Sequence, residues 1–574
     1  MTNLIDYIET QIRQILTKNE LKGECKIIKC KLPKYDYSLN NSFAISKENN
    51  LSPNDFYNIL KKNISDDSGI DIFFDKNHIN ICLQKKYVIK IAENILLNDH
   101  NNHQSSPQKI IVDYSSPNVA KDMHVGHLRS TIIGDAIANF YEKLGHNVMR
   151  INHIGDFGLP FGMMIQYVII NGLSNDIEKI NLQEIYKKSR ELYDNDEEFK
   201  KESYQRTLEL QKKTNDNTIK IWRSICDISK KSYDVIYDKL DIKLIERGES
   251  FYNFMFDNLV DELKSNNLLE FDNGRYIIPV KMSDGTTIPL TIIKSDGGYT
   301  YDTTDLCALK HRLEVEKADK VFYVVDSGQS AHFQQIFNVA QTIGWKKDNQ
   351  NLYHINFGVV LGSDKKRLKS RNGCNPKLID LLNESVEKTK NVYKQKNGDD
   401  IPSDDYIENI AYGSLKYFDL SLNRTLDYVF SYDNMINFKG NTLIFVMYAY
   451  VRCNSIFKNV EKFGNPDNHK YIKCDELTDK DMYLLKNILR LPEIIQQIFN
   501  SHYFHLLCDY LCQLSEIIHG SYNVLRCVDF IMNENKEIVG AKNINYSRTN
   551  IFRLCIKKMN FCFDILGVKP VNHM

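Results

Sequence analysis

Paired cysteines, long apolar runs and an excess of either charge are all missing from this chain. Its 13 cysteines include no Cys-x-x-Cys pair. Cys508 and Cys512 come closest, at helical spacing, with no second pair to complete a zinc site. An odd number scattered over 574 residues argues against a disulfide framework and for reduced, structural thiols. No stretch approaches the ~18 apolar residues of a membrane-spanning helix. The opening MTNLIDYIETQIRQIL contains acids. It has neither the apolar block of a secretory signal nor the Arg-rich character of a transit peptide, so a cytoplasmic location is expected. Lys+Arg and Asp+Glu both number 74. That balance excludes a wholly basic nucleic-acid coat, but not a local basic groove.

What is present is ordinary globular composition, 42% hydrophobic and 26% charged, in a chain too long for one core. A helix over Ile5–Leu16 opens a small mixed unit with short alternating runs (CKIIKCKL, IDIFFD) and a strand, turn and helix in NHINICLQKKYVIKIAENILL. NDHNNHQSSPQ reads as a linker. QKIIVDY then reads as a buried strand, SSPNVAKDMHVG as a loop, HLRSTIIGDAIANFYEKLG as a helix closed by Gly145, and NVMRINHIG as a strand. Strand, helix, strand begins a doubly wound parallel sheet. Residues about 160–265 read as a helical insertion with charges of both signs at i, i+4 spacing. Alternation returns at RYIIPVKM and TTIPLTIIKS. A second strand, helix, strand pattern spans 319–362, and a Lys/Arg-rich loop follows. Beyond about 405 the pattern is helical only. The expected architecture is an N-terminal α+β domain (1–104), a Rossmann-type core (105–435) and an all-α C-terminal bundle (436–574).

Two elements carry chemistry. HVGH (124–127) sits where a strand hands over to a helix, and a helix N-terminus is a ready anion site. Gly126 lets a planar ring lie close to the backbone. His124 and His127 could both reach one phosphate; the competing reading is a pair of capping histidines. KKRLKSRNG (365–373) is a cationic loop after a strand; alone such a charge run reads as solvated surface, but in a chain with HVGH after its first strand it could close over a triphosphate.

Together these resemble the HIGH and KMSKS signatures of class I aminoacyl-tRNA synthetases. SSPNVAKDMHVGHLRSTIIGD, RINHIGDFG, YDTTD, DSGQSAHFQ, NRTLDYVFSYDNM, YAYVRCNSI and DILGVKPVNHM, in that order, resemble arginyl-tRNA synthetase. The resemblance runs from about residue 108 to the end and is weaker in the first hundred residues, which look like that family's added tRNA (D-arm) contacting domain. It implies ATP-dependent activation of L-arginine to arginyl-adenylate, and transfer to the 2′-OH of the terminal adenosine of tRNA(Arg). Activation would need bound tRNA, and magnesium would come with ATP rather than in a fixed protein site. The alternatives are a non-catalytic tRNA-binding paralogue or another class I synthetase.

By the same resemblance, arginine would be held by Asp113, Ser116, Asn118, His127, Tyr301, Asp305 and Gln329. Asp305 would be the main guanidinium carboxylate with Tyr301 beside it; the bland reading of that pair is i, i+4 helix packing. Asp113 stands where many relatives have Glu, about one methylene longer. ATP would meet His124, Gly126, His127, His332 and Lys369; for His332 a helix-start cap competes. LKSRN lacks the second signature lysine, and Lys121, just before HVGH, would take its place beside Lys369 and Arg371 on the pyrophosphate. Lys365 and Lys366 could help or simply face solvent. The C-terminal helices would form a DALR-type anticodon domain, with Tyr448, Tyr450 and Arg452 as candidate tRNA contacts against helix core as the alternative.

Overall fold

The computed structural model describes residues 3–97, 106–174, 177, 181–282, 284–366, 368, 376–398, 402–535 and 537–574. They form two compact units. One comprises Ser105–Ile436 with Asp564–Val568, the other Met1–Gln104, Asn437–Phe563 and Lys569–Met574.

At the heart of the first unit lies a five-stranded sheet in the order Asn351–His354, Lys320–Tyr323, Lys109–Asp113, Asn147–Asn152, Ile245–Glu246. Every neighbouring pair is parallel. Numbered along the chain the order is 5-4-1-2-3, the doubly wound arrangement. Ile110, Ile111 and Val112 are wholly buried, as a central strand covered on both faces requires. The order reverses beside Lys109–Asp113, so a crevice is expected off the carboxyl ends of that strand and Lys320–Tyr323.

Helix Val125–Lys143 is buried on nearly every side. Gly134 makes room for Tyr114: a Cβ there would stand 2.2 Å from the ring's Cγ. Arg129, fully buried on the same helix, pairs with Asp419 at 3.1 Å and donates to the Gly358 carbonyl at 2.7 Å.

The insertion packs helices Leu159–Ile170, Leu182–Asn195, Glu197–Lys212 and Asp216–Lys239 around Phe161, Met164, Ile165, Ile185, Leu210, Ile221 and Ile225. It is not purely helical, because Ile245–Glu246 returns to pair with Ile151 and Asn152 at the sheet edge. Two residues are too short a run to show periodicity. The alternating stretches after it form an antiparallel three-stranded sheet, Thr287–Ile293, Arg275–Lys281 and Glu270–Asp272. The strand expected over 352–362 breaks after His354, and Val360–Leu361 pairs instead with Tyr428–Val429.

In the second unit helix Leu4–Lys18 and helix Lys85–Leu97 accompany a four-stranded antiparallel sheet in the order Ile27–Lys29, Tyr37–Leu39, His78–Leu83, Ile70–Asp75. This sheet and the C-terminal helices share polar ties, one partly and one fully buried. Lys486 meets Asp36 at 2.6 Å, and the Tyr37 phenol donates to Glu493. The C-terminal segment is not all-α. An antiparallel hairpin, Val528–Met532 with Ile538–Ile544, interrupts the helices. Its strands leave Ile531, Met532, Ile538 and Val539 exposed, so no alternation of buried and polar residues marked it.

Gly134→Ala would overpack the Tyr114 ring and is expected to lower unfolding free energy by about 1–3 kcal/mol. Urea denaturation followed by circular dichroism measures it; an unchanged midpoint would contradict the packing.

Candidate active site

The loop after strand Lys109–Asp113 is held under strain. Ser115, Ser116 and Ala120 lie at φ +73°, +45° and +62°, positions that non-glycine residues occupy only when their surroundings fix them. The Ser115 N–H donates to Ser130 Oγ and the Ser116 N–H to Asn152 Oδ1. The Gly155 N–H donates to the Pro117 carbonyl and the Val119 N–H to that of Gly155. A Cβ at Gly155 would stand 2.4 Å from Asn118 Oδ1, so any larger residue would displace the Asn118 side chain. The RINHIGDFG stretch therefore clamps the SSPN loop and sets Asn118.

Asp113 is 4% exposed. Its carboxylate accepts from Ser116 Oγ at 3.1 Å and pairs with Arg312 Nη2 at 2.8 Å. Arg312 is itself wholly buried, its guanidinium 4.9 Å from the Tyr323 ring centre. It stands on a π-type turn, His311–Val315, that continues helix Tyr301–Lys310, and such turns gather at functional sites. Asp113 is thus committed to an internal guanidinium, which sequence reading missed.

HVGH caps helix Val125–Lys143 with His124 as the N-cap residue. The Gly126 N–H donates to His124 Nδ1 and the His124 N–H to His127 Nδ1, both at 3.0 Å. With Nδ1 accepting, each neutral ring carries its proton on Nε2. The rings lie 4.1 Å apart. Burial, with His124 alongside, pushes His127 down to about 3. The capping reading and the anion reading are compatible: the caps fix two Nε2–H donors at a helix N-terminus.

A cavity of about 580 Å³ opens beside this loop, lined by Asn118, Lys121, Tyr186, Glu249, Tyr301 and Asp302 among others. Asp305 has both oxygens engaged, Oδ1 at 3.3 Å from His153 Nε2 and Oδ2 at 2.7 Å from His332 Nε2. His332 Nδ1 reaches Asp302 at 3.3 Å. Burial opposes charge on Asp305, His153 and His332. The opposed imidazoles nevertheless hold Asp305 far below the usual carboxylate range, and the acids raise His153 and His332 to about 9. His332 is thus part of a carboxylate–imidazole chain and not merely a helix-start cap. Tyr301, the first residue of its helix, is 61% exposed, so it forms no enclosed wall. Gln329 is exposed in the turn Ser327–Gln329 and does not belong to the described cavity lining.

The carboxyl group that sequence reading overlooked is Glu249. It opens a short turn, Glu249–Met255, that Asp156 pins by accepting from the Ser250 N–H at 2.8 Å and Ser250 Oγ at 2.5 Å. Its own N–H donates to the Ile154 carbonyl. Burial, reinforced by Asp305 and Asp156 against His153, raises Glu249 to about 8. No motif marks it; the signal was indirect, the acid of RINHIGDFG needing a partner.

Lys369 and Arg371 lie outside the described residues. Lys365 and Lys366 are exposed in a turn where the Gly362 N–H meets the Lys366 carbonyl. On helix Leu443–Phe463 Tyr450 is 6% exposed against Phe563, which makes it core rather than a surface contact. Arg452 lies 4.5 Å from the Tyr448 ring centre and 4.8 Å from that of Tyr522, with Nη1 3.0 Å from His519 Nδ1. Tyr522 also lines a groove of about 500 Å³ with Arg526, Phe530 and Met532.

Residues 91–432 match the family described as tRNA synthetases class I (R), catalytic domain, and residues 446–574 the DALR anticodon binding domain. The chain is 40% identical over 568 residues to the cytoplasmic arginine–tRNA ligase of Xenopus tropicalis, covering 94% of this chain and 84% of the relative. To that of Homo sapiens it is 40% identical over 566 residues, covering 94% and 83%. The crystal structure of arginyl-tRNA synthetase from Plasmodium falciparum superposes with a TM-score of 0.83 at 31% identity, each chain fully covered. The Thermus thermophilus enzyme shares the fold, with a TM-score of 0.79 at 17% identity over the whole of both chains.

Arg312→Met would leave Asp113 buried and unpaired, a loss of about 3–5 kcal/mol. Combining it with Asp113→Asn should restore much of that in thermal unfolding. Equal loss in the single and double variants would contradict the pairing.

Proposed function

The chain belongs to the class I arginyl-tRNA synthetases, and we propose that it joins L-arginine to tRNA(Arg) in two ATP-driven steps within the cavity just described. What supports this reading most is the conjunction of two features in one place. Glu249 and Asp302 bring carboxyl groups to a cavity of a size that accepts a small molecule. Beside it stands a helix N-terminus carrying two imidazole donors. A guanidinium is a planar fork of five donors and calls for acids of this kind; a triphosphate calls for the second feature.

In the first step the guanidinium enters between Glu249 and the Asp302–His332–Asp305–His153 chain, with Tyr301 at the rim. Asn118 and Ser116 face the amino-acid end, and Gln329 joins them once substrate is bound. Asp113 acts through Ser116 and Arg312. The arginine carboxylate attacks the α-phosphate of ATP and pyrophosphate departs. His124 and His127 donate from Nε2 to the phosphates, and Gly126 leaves room for the adenine. Lys121, Lys369 and Arg371 offset the charge on the leaving pyrophosphate. Magnesium arrives with ATP, held mainly by its phosphates. In the second step the terminal 2′-OH of tRNA(Arg) attacks the acyl carbon of arginyl-adenylate, the acyl–phosphate bond breaks and AMP departs. The protein supplies position and fixed charge, and no covalent enzyme intermediate forms.

The tRNA is held in addition by the DALR segment, where Arg452, Tyr448 and the groove at Tyr522 offer a cation and stacking faces for unpaired bases. The first 104 residues contact the D-arm. The relatives are named as cytoplasmic enzymes, and this chain works in the same compartment. No observation favours a non-catalytic paralogue, since His124, Gly126, His127 and Lys121 are all retained.

Arginine-dependent exchange of pyrophosphate into ATP tests the reading. Exchange is expected with arginine alone among the amino acids, and only when tRNA(Arg) is present. Exchange without tRNA would remove the ordered activation, and none with arginine would overturn the function. Glu249→Gln should raise the KM for arginine about ten- to a hundredfold, the worth of a hydrogen bond to a charged group. An unaltered KM would take Glu249 out of the pocket.

A further inference from the structure

Lys121 lies in a cavity whose acids are reserved for a substrate cation, yet it is held by a ring. Its Nζ stands 5.1 Å from the centre of Tyr186 on helix Leu182–Asn195. That ring is partly buried against the insertion's core, so it is a fixed platform for a flexible stem. Asp122, the adjacent acid, is committed to Lys377 at 2.7 Å. Lys294, the other lysine lining the cavity, is instead paired with Asp296 at 3.6 Å, with the centre of the insertion's Tyr204 ring 5.9 Å away.

We propose that Tyr186 is a positioning residue for Lys121. Its ring holds the ammonium group off Glu249 and Asp302 until ATP phosphates draw it across. A cation resting on a ring leaves it readily, whereas one paired with a desolvated carboxylate does not. Without the ring, Lys121 would settle on the acids that arginine needs, and the phosphates would have to extract it. The helical insertion thereby takes part in nucleotide handling through a residue that no signature motif contains. This inference rests on the synthetase reading and on Lys121 meeting the pyrophosphate.

The test is a double-mutant cycle on the intact enzyme in tRNA-supported pyrophosphate exchange. Tyr186→Leu should lower kcat/KM for ATP about two- to fivefold, the worth of the partly exposed ion pair that the phosphates would then have to break. Tyr186→Phe, which keeps the ring face, should restore it. In a Lys121→Met background Tyr186→Leu should have no further effect. Equal losses in both backgrounds would show that the ring acts only through packing. Equal losses for Leu and Phe, or none for Leu, would overturn the proposal as well. Wild-type enzyme that fails to exchange with arginine would instead bring down the underlying reading, and this inference with it.

Discussion

A site that selects a cation must keep carboxyl groups out of water while the cation is absent. That constraint explains more of this structure than any single motif. An isolated buried carboxylate costs several kcal/mol, so each one needs a resident compensation. Asp113 has Arg312; Asp305 has His153 and His332; Asp156 has the Ser250 N–H and hydroxyl. Glu249 takes a different course, raised to about 8 and so protonated at neutral pH in the empty cavity. It is the acid whose charge state an incoming guanidinium can change.

The fold serves this arrangement by converging on one edge. The sheet reverses its order beside Lys109–Asp113, and the loop leaving that strand runs through three left-handed residues before it starts helix Val125–Lys143. The same loop sets Asn118 by its ladder with Gly155, places Lys121 and ends in the histidine cap. A single strained segment thus joins the acid-lined cavity to the capped helix N-terminus. Its strain is balanced by hydrogen bonds that the Ser115 and Ser116 N–H groups donate to Ser130 Oγ and Asn152 Oδ1, and by the Arg312 pair.

Much of this was legible in the sequence. Short apolar runs and their spacing marked the parallel strands, and HVGH marked the helix start because its position after a strand has physical meaning. The family resemblance supplied the chemistry. Glu249 was not legible, since it lies about 130 residues from Asn118 in the same cavity lining and belongs to no periodic element. Arg312 was hidden for a different reason: a basic residue late in a helix reads as solvent-facing. Ile245–Glu246 was too short to show a pattern, and the 528–544 hairpin too exposed to alternate. Tyr450 was read as a surface ring because a tyrosine on a helix does not tell which face it occupies.

Arginine is expected to bind by ionising a carboxyl group that the empty enzyme keeps protonated. Titration calorimetry of arginine at pH 7, in buffers of different ionisation enthalpy, counts the protons directly. With Glu249 near 8 before binding and lower afterwards, close to one proton should be released per arginine, and affinity should rise with pH until it levels off above about 8. The release should disappear in Glu249→Gln. Binding of arginine with no proton released at pH 7 would contradict the account.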